Sequence, residues 1–369
     1  MPEQLDSEQQ ALAERVRRFA ADVLEPLRGT SGRDARQRVT AAAQAAGLFA
    51  MTQPREFGGT AASSLALTIV RDELAAANAP HSGLVFGPGP GVLAGAGEPL
   101  RSRYLEPLLA GRKTGAFGFT EPDDAPAPTR ASRDGDELVI NGQKSYVTGG
   151  ASADFINTLV QIEDEGPAMV VIDRDAPGVT LARRFSSLDG SHHAAFTFEQ
   201  VRVPASHLIG RPGEGMPRAM RQIGDTRLAI AASCTGTMRW VIEYLTEYLQ
   251  KPDRSGRPRG AREGVRLRYA DLRISAYAAR SMVYRTARLA DTGANVVNEG
   301  IACKVFATEA VGAIVDTAIQ LVGGSALVDD HPLVELYRRV RSLRLAEGGS
   351  DVLRLNLARG KLELDKGRL

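Results

Sequence analysis

The spacing of apolar residues changes twice along the chain, and each change marks a different kind of element. In the first part apolar residues recur every three or four positions, as on one face of a helix, and further Ala/Leu-rich segments follow between glycine and proline breaks. Ser7 is a candidate N-cap for the first helix. We therefore predict an N-terminal helical domain over residues 1–114. Its first apolar stripe comprises Leu12, Val16, Phe19, Val23 and Leu24.

The middle of the chain alternates apolar and polar residues, which is typical of strands with one buried face. The segment RDGDELVINGQKSYVTG contains two turn-forming pairs, Asp134-Gly135 and Asn141-Gly142. Three later segments, AMVVID, GVTLARRF and AAFTFEQVRVP, are rich in β-branched and aromatic residues. The pattern predicts a small antiparallel β barrel or sandwich over residues 115–213.

Helical spacing returns after this domain and continues over long stretches. One stripe steps by four, three, four and four positions, and a second runs from Ile301 to Val322. Each stripe needs a partner, so the sequence predicts a C-terminal four-helix bundle over residues 214–369. The predicted fold class is mainly α with a central β domain. The first stripe comprises Cys234, Met238, Val241, Leu245 and Leu249.

An acidic residue, Glu347, lies between the last two predicted helices. The first of them is expected to end near Leu343, and Ser350 is a candidate cap for the second. The helix dipole disfavours an acid at a C-terminus by a few tenths to about 1 kcal/mol. A residue that breaks a local rule in this way is a mild indication of function. The inward face of the second helix is expected to comprise Val352, Leu355 and Leu362.

The composition is that of an ordinary globular protein and argues against two classes of partner. With 369 residues, 43% of them hydrophobic and 24% charged, the chain can bury a substantial core. The net charge of +2 comes from 46 basic and 44 acidic residues, so no overall field attracts nucleic acid or an anionic membrane. We interpret the basic clusters at 257–268 and 338–344 mainly as solvated helix faces.

Cysteine and histidine usage gives no indication of a metal site. The two cysteines, Cys234 and Cys303, each lie in an apolar helical pattern, which fits a reduced compartment. The five histidines show no metal-ligand spacing. The chain has neither a signal peptide nor an apolar run of about 18 residues. We therefore expect a cytoplasmic protein without a resident metal.

Short motifs spread over almost the whole chain carry a more specific signal. They are PREFGG (54–59), FGFTEP (117–122), NGQKSYVTGG (141–150), FTFEQVRVP (196–204), DTR (225–227), QLVGG (320–324), LYRRVR (336–341) and AEGG (346–349). Each alone is common in unrelated proteins. In this order and separation, with the predicted domains between them, they resemble the acyl-CoA dehydrogenase family of flavoproteins.

The resemblance implies an FAD-dependent oxidation of an acyl thioester to its 2-enoyl product. In the family a carboxylate takes the α-proton while the β-hydride passes to N5 of FAD, and Glu347 stands at the position of that base. The thioester oxygen needs preorganised donors, which in the family are a flavin ribityl hydroxyl and the backbone N–H of the base. The pKa of such a base must be raised, as burial does. Thr226 occupies the place where a minority of members carry the base instead.

In the β domain the resemblance assigns contacts to the flavin ring. Thr148 is expected near N5, and Tyr146 against the isoalloxazine. Phe119 and Thr120 are expected along its pyrimidine side, with Phe117 as a further cofactor contact.

In the bundle the resemblance implies contacts to the rest of FAD and to substrate. Gln320, Gly323 and Gly324 match a loop that in the family crosses a subunit interface to the ADP part of a neighbour's FAD, which implies an oligomer, most simply a tetramer. Arg254 is the candidate for the family arginine that contacts the pyrophosphate. Substrate contacts are expected from Ser191, Arg227 and Gly348.

The chain departs from the family pattern at several cofactor positions. Pro126 stands where the family has a serine, Ser255 replaces a phenylalanine beside the offset Arg254, and Gly349 replaces a threonine. Each hydrogen bond to a charged group is worth about 1.5–3 kcal/mol. Losing two or three contacts therefore corresponds to a factor of hundreds to thousands in FAD affinity.

Three readings are compatible with these departures. The first is an acyl thioester dehydrogenase that passes electrons to an electron-transfer flavoprotein and acts on a CoA, carrier-protein-bound or steroid side-chain thioester. The second is a non-catalytic or half-site subunit that completes the FAD site of a related chain in a heterotetramer. The third is a flavin oxidase or monooxygenase on the same fold. A glutamate at position 347 favours dehydrogenation.

Overall fold

The computed structural model of the chain describes residues 4–365, which form two compact units. The helical unit comprises the described residues up to Met51, the segment Ala61–Phe86 and the residues from Gly224 onward. The sheet unit comprises Thr52–Thr60 and Gly87–Ile223. The division into domains at 114 and 213 stays a prediction.

Long helices make up most of the helical unit. The first begins after Asp6 rather than after Ser7, because Asp6 and Gln9 form a reciprocal capping box. Helix α4 lies in the sheet unit, and α5 contributes residues up to Ile223 to that unit. The α-helices are α1 Ser7–Phe19, α2 Gly32–Ala45, α3 Ser64–Ala76, α4 Glu106–Leu109, α5 Gly215–Gln250, α6 Glu263–Asp291, α7 Val297–Val322, α8 Pro332–Leu343 and α9 Ser350–Leu362.

The predicted C-terminal bundle has the expected core. The stripe from Cys234 to Leu249 on α5 is buried, and it packs with residues of α6, α7 and α8 in one cluster. Burial of this stripe follows from its spacing, because positions three and four apart share one face of a helix. The predicted fold class, mainly α with a central β domain, is confirmed.

Helix α7 is long and apolar enough, by length and composition, to cross a membrane, although charged residues interrupt its apolar positions. In the structure Ala307, Val311 and Val315 are completely buried in the bundle core. Lys304 is buried on the same helix. The apolar character of α7 is accounted for by its place in the core.

A buried polar network joins α3 to α5 and α6 within the helical unit. The carboxylate of Asp72, completely buried, accepts hydrogen bonds from Arg239 at 2.8 Å, Tyr284 at 2.9 Å and Arg280 at 3.1 Å. A buried charge is stable only when it is paired in this way. The network therefore ties the N-terminal helices to the bundle.

The sheet unit is built around one mixed sheet with strand order β6-β7-β3-β2-β4-β5-β8, and β1 pairs with β4. Most pairings are antiparallel, as the alternation predicts, whereas β1–β4 and β2–β4 are parallel. Alternation reports the buried face of a strand but not its direction. The strands are β1 Gly115–Gly118, β2 Arg130–Asp134, β3 Glu137–Thr148, β4 Phe155–Ile162, β5 Gly166–Asp173, β6 Val179–Ser186, β7 His192–Pro204 and β8 Leu208–Ile209.

Of the two predicted turns, one is correct and one is wrong. Asp134 pairs with Glu137 across a tight β2–β3 turn that contains Gly135. Asn141 instead lies inside β3, where its side-chain oxygen accepts a 2.8 Å hydrogen bond from the Gln200 N–H of β7. The pair beginning at Asn141 therefore marks a β-bulge in a continuous strand.

The predicted inward face of α9 is also wrong. Val352, Leu355 and Leu362 are 56%, 71% and 84% exposed, and Leu353 is the buried leucine. The helix packs through Leu353 because that side chain contacts the turn before α9: a Cβ at Gly348 would lie 3.0 Å from its Cδ2. The helix is not capped by Ser350, since Gly349 occupies the N-cap position.

Candidate active site

Glu347 lies in a strained turn between α8 and α9. Its backbone φ is +53° and that of Gly348 is +104°. A residue other than glycine in this left-handed region costs about 1–3 kcal/mol. The turn is closed by a 3.1 Å hydrogen bond from the Ser350 N–H to the Arg344 carbonyl. Strain of this kind persists only where the surroundings supply compensating contacts.

Two cationic side chains supply those contacts. Arg227 of α5 donates from Nε to the Glu347 carbonyl oxygen at 2.9 Å. Lys304 of α7, completely buried, donates from Nζ to the carbonyls of Gly348 at 2.7 Å and Arg344 at 3.1 Å. Both cations thus bind the backbone of the turn. The Glu347 carboxylate itself forms no hydrogen bond or ion pair with any residue between 4 and 365.

The electrostatic balance makes the Glu347 carboxylate a better proton acceptor than an exposed one. Burial is the largest influence and raises the pKa of Glu347, while the charges of Arg227 and Lys304 oppose the increase. The pKa of Lys304 is lowered to about 8, first by burial and then by the charge of Arg227. A carboxylate with a raised pKa takes a proton more readily near neutral pH. The turn therefore carries a group suited to general-base catalysis.

The two glycines after Glu347 differ in what the structure requires of them. At Gly348 the positive φ and the proximity of Leu353, 3.0 Å from a notional Cβ, both exclude a side chain. At Gly349 the backbone φ is −60°, and a notional Cβ meets only Leu345 at 3.8 Å. Only Gly348 is required by the geometry of the turn.

In the sheet unit the end of β3 presents an exposed aromatic ring. Tyr146 has a φ of +53° at an irregularity in the β3–β7 pairing, and 62% of it is exposed. Its ring meets Phe185 of β6 edge-on, with centroids 5.2 Å apart. An outward-facing tyrosine supported by a second ring provides a flat surface against which a planar ligand can stack.

The hydroxyl of Thr148 lies at the same strand end and joins a chain of polar groups. Thr148 pairs with His193 on β7, and its Oγ1 is 3.2 Å from His193 Nδ1. The other ring nitrogen, Nε2, is 2.9 Å from Ser191 Oγ. The structure thereby connects the predicted residues Thr148 and Ser191 through a histidine that the sequence analysis did not select. Ser191 immediately precedes β7, and His193 is the second residue of that strand.

The FGFTEP segment is held against β3 by an ion pair between the buried Lys144 and the half-buried Glu121. Lys144, 2% exposed, donates to Glu121 Oε1 at 2.9 Å and to the Phe119 carbonyl at 3.2 Å. Burial opposes ionisation of Glu121, but hydrogen bonds from Thr129 and Lys144 outweigh it and lower the pKa of Glu121. Neither Lys144 nor Glu121 is among the predicted site residues, although a lysine inside an apolar strand pattern is a signal of such a pair.

These contacts bring three further predicted residues to the Tyr146 region. The Ser145 N–H, next to Tyr146, donates to the Thr120 carbonyl at 2.8 Å. The rings of Phe117 and Phe119 stack with centroids 5.7 Å apart. The backbone of Phe119 and Thr120 therefore borders β3 next to Tyr146, and Phe117 is joined to this segment by the ring stack.

The remaining predicted cofactor residues lie elsewhere in the helical unit. Arg254 is in the exposed loop after α5. Gln320 lines a cleft of about 310 Å³ together with residues of α6, Gly323 follows the end of α7, and Gly324 begins a short 3-10 helix. Gln320 is about 24 Å from Lys304 along the axis of α7, at 1.5 Å per residue. Gln320, and with it the end of α7 at Gly323, is therefore remote from the Glu347 turn.

The sheet unit offers a donor and acceptor set that fits a flavin ring. Tyr146 and Phe185 supply an aromatic surface, and the Thr148 hydroxyl supplies a hydrogen-bonding group at its edge. The fit is to the ring, since Pro126 lacks the hydroxyl that the resemblance implies at that position.

Comparisons with known proteins agree along most of the chain. Three family models match: "Acyl-CoA dehydrogenase, N-terminal domain" over residues 6–112, the middle domain over 116–201 and the C-terminal domain over 213–362. The human "Short-chain specific acyl-CoA dehydrogenase, mitochondrial" is 29% identical over 85% of this chain and 79% of its own length. An "Acyl-CoA dehydrogenase" of Bacillus subtilis is 27% identical over 85% of this chain and 86% of its own length.

A solved structure shows the same fold. The crystal structure of a probable acyl-CoA dehydrogenase from Mycobacterium abscessus superposes with a TM-score of 0.84, at 28% identity, over 96% of this chain and 98% of that one. The three matched domains follow one another in the order that the sequence motifs predict. The chain belongs to the acyl-CoA dehydrogenase family of oxidoreductases, whose cofactor is FAD.

Proposed function

We propose that this chain catalyses the FAD-dependent α,β-dehydrogenation of an acyl thioester, with Glu347 as the base that takes the α-proton. The observation that carries the proposal is the Glu347 turn. Its carboxylate is half-buried and unpaired among the described residues, while Arg227 and Lys304 bind the adjacent backbone carbonyls. Bound FAD would supply the acceptor for the β-hydride.

The chain's own residues perform the proton step in this proposal. Glu347 must be ionised to accept the α-proton, and its raised pKa brings the carboxylate closer in basicity to the enolate-like transition state. The hydrogen bonds from Arg227 and Lys304 hold the carbonyls of Glu347 and Gly348 in place, and in this proposal the Glu347 N–H donates to the thioester oxygen. Gly348 allows the left-handed backbone of the turn and its close approach to Leu353, since it carries no Cβ.

We assign ligand contacts on the same basis. Tyr146, Thr148, Phe117, Phe119 and Thr120 are proposed to bind the isoalloxazine, as supported by their clustering at the end of β3. A second set consists of proposed contacts to the ADP part of FAD and to substrate. Its members are Arg254, Gln320, Gly323 and Gly324 for the cofactor, and Ser191, Arg227 and Gly348 for the substrate.

The wider assignments rest on the family relationship. We propose a cytoplasmic enzyme of lipid metabolism that passes electrons to an electron-transfer flavoprotein and assembles as a homo-oligomer or as a heterotetramer with a related subunit. The substrate is an acyl-CoA, a carrier-protein-bound acyl group or a steroid side-chain thioester.

One observation favours a second candidate, a half-site subunit that completes a partner's FAD site. Ser255 and Gly349 replace family cofactor contacts, and Arg254 lies in an exposed loop. In that case the isolated chain would not retain FAD. The third reading, an oxidase or monooxygenase, would be revealed by oxygen consumption.

The test is anaerobic reduction of FAD-loaded protein with a panel of straight-chain, branched and steroid-type acyl-CoA thioesters. We expect bleaching of the flavin absorbance by wild type and by Glu363→Gln, an exposed control just after α9 that pairs with Arg359. We expect Glu347→Gln to bind FAD but to bleach at least a thousandfold more slowly. Wild-type bleaching by Glu347→Gln contradicts the base assignment. A chain that stays colourless with added FAD supports the half-site subunit.

A further inference from the structure

The sheet unit contains a continuous chain of four polar side chains that ends at Thr148. Ser191 Oγ donates to Asp189 Oδ1 at 2.6 Å and lies 2.9 Å from His193 Nε2. His193 Nδ1 lies 3.2 Å from Thr148 Oγ1. We call Asp189, Ser191, His193 and Thr148 the Thr148 relay.

The direction of every hydrogen bond in the Thr148 relay follows from the number of hydrogens available. An ionised carboxylate only accepts, so the single hydroxyl hydrogen of Ser191 is used on Asp189. Ser191 Oγ can then only accept, which requires a hydrogen on His193 Nε2. In a neutral imidazole the other nitrogen is an acceptor. Nδ1 therefore accepts, and the Thr148 hydroxyl donates to it.

The backbone and two aromatic rings hold the histidine in this orientation. Thr148 and His193 are register partners on β3 and β7, so their separation is set by the sheet. The His193 ring lies 5.5 Å from the Phe185 ring and 6.0 Å from the Tyr146 ring, centroid to centroid. The Ser191 N–H also donates to Asp189 at 3.0 Å, which fixes the far end of the relay.

We propose that His193 is a positioning residue that fixes the Thr148 hydroxyl as a hydrogen-bond acceptor toward the flavin. The proposal rests on the proposed function, in which Thr148 lies beside N5 of FAD. With its hydrogen directed to His193, Thr148 offers only lone pairs to a ligand. N5 accepts a hydrogen bond in oxidised flavin and donates one in reduced flavin. The relay therefore favours the reduced cofactor and raises its midpoint potential.

The first test needs no cofactor. Protein labelled with ¹⁵N-histidine has five imidazoles, and comparison with His193→Phe assigns the signals of His193 in two-bond ¹H–¹⁵N spectra. At about pH 8, where imidazoles are ordinarily neutral, we expect the hydrogen on Nε2. In Ser191→Ala, which removes the acceptor of that hydrogen, we expect a tautomer mixture. A hydrogen on Nδ1 in the wild type, or an unchanged tautomer in Ser191→Ala, overturns the relay.

The second test measures the cofactor itself. In His193→Phe the Thr148 hydroxyl is free to donate to oxidised N5, so the ratio of the dissociation constants of oxidised and reduced FAD falls about tenfold. For a two-electron couple this lowers the midpoint potential by about 30 mV. The matched control is His192→Phe. His192 immediately precedes His193 on β7, and its side chain contacts Ser186 of β6 rather than Thr148.

The outcomes separate this inference from the proposed function. A lower potential in His193→Phe but not in His192→Phe supports the relay, and equal potentials in the wild type and both variants overturn it. Failure of the wild type to bind FAD contradicts the proposed function, and the tautomer measurement then still decides whether the relay exists.

Discussion

The buried ammonium of Lys304 and the carbonyl oxygen of Gly348 are joined by a 2.7 Å hydrogen bond. The same ammonium binds the Arg344 carbonyl, so a single side chain of α7 holds both ends of the turn that carries Glu347. A charged donor makes stronger hydrogen bonds than a neutral one. This contact compensates for the strained backbone of Glu347.

Replacing Lys304 with methionine tests this role. Methionine fills similar space but removes the charged donor to the Gly348 carbonyl and one donor to the Arg344 carbonyl, which keeps its hydrogen bond from the Ser350 N–H. A buried carbonyl that loses its donor costs about 1–3 kcal/mol. We expect lower stability in urea titrations and a kcat reduced about 10- to 100-fold, since a misplacement of about 1 Å can cost a hundredfold. Lys361→Met, an exposed lysine on α9, is the control. An unchanged kcat in Lys304→Met would show that the turn holds its geometry without the ammonium.

The raised pKa of Glu347 predicts a dependence of stability on pH. A carboxyl whose pKa is higher in the folded state stabilises the fold below the unfolded value, ordinarily near 4.5, and loses that contribution as pH rises through the folded pKa. We therefore expect Glu347→Gln to unfold at a higher temperature than wild type near neutral pH. The difference should disappear below about pH 4. Calorimetry over a pH series measures it, and a Glu347→Gln variant that is less stable at neutral pH would contradict the direction of the shift.

The same shift predicts the acidic limb of the activity profile. The free enzyme must carry an ionised Glu347, so kcat/KM should fall as pH decreases through its raised pKa, above the ordinary glutamate value. Removing the opposing charge in Arg227→Met should move this limb to higher pH. The measurement is kcat/KM against pH for both proteins. A limb at or below the ordinary value in wild type would contradict the assignment.

The two glycines after Glu347 form a matched pair for substitution. We expect Gly348→Ala to lose more than about 1 kcal/mol of stability and most of the activity, because alanine is strained at positive φ and its Cβ would contact Leu353. Gly349→Ala should change stability by less than about 0.5 kcal/mol, as is usual away from such features. Urea unfolding and steady-state kinetics measure both. Equal effects would show that the conformation of Gly348 is not what limits the site.

The Lys144–Glu121 ion pair can be tested with a double-mutant cycle. Lys144→Met removes a donor to Glu121 and to the Phe119 carbonyl, so we expect a loss of about 1–3 kcal/mol and weaker FAD binding. Glu121 is about one-third exposed, which limits the loss. Adding Glu121→Gln should restore part of the stability, since no unpaired charge remains. Additive losses in urea titrations of the two single variants and the double variant would exclude coupling between these side chains.

Sequence patterns predicted burial and turns correctly where the residues of one local segment decide them. The stripe from Cys234 to Leu249 is buried as its spacing predicts, and the turn that contains Gly135 joins β2 to β3. Sequence patterns did not predict the structure where a contact with a second element decides it. The side chain of Asn141 bonds to β7, and this keeps β3 continuous where a turn is expected. In α9 the face that packs is decided by Leu353 against the preceding turn.

By itself, the sequence determined the order of helices and strands, the family and the residue proposed as base, because periodicity and short motifs are local properties. Tertiary structure alone decided how that residue is held. Lys304 binds Gly348 across 44 positions, and His193 meets Thr148 across 45. Such contacts depend on how α7 packs beside the turn and on the register of β3 with β7. No local pattern encodes them, since the hydrogen bonds form only after distant segments have packed.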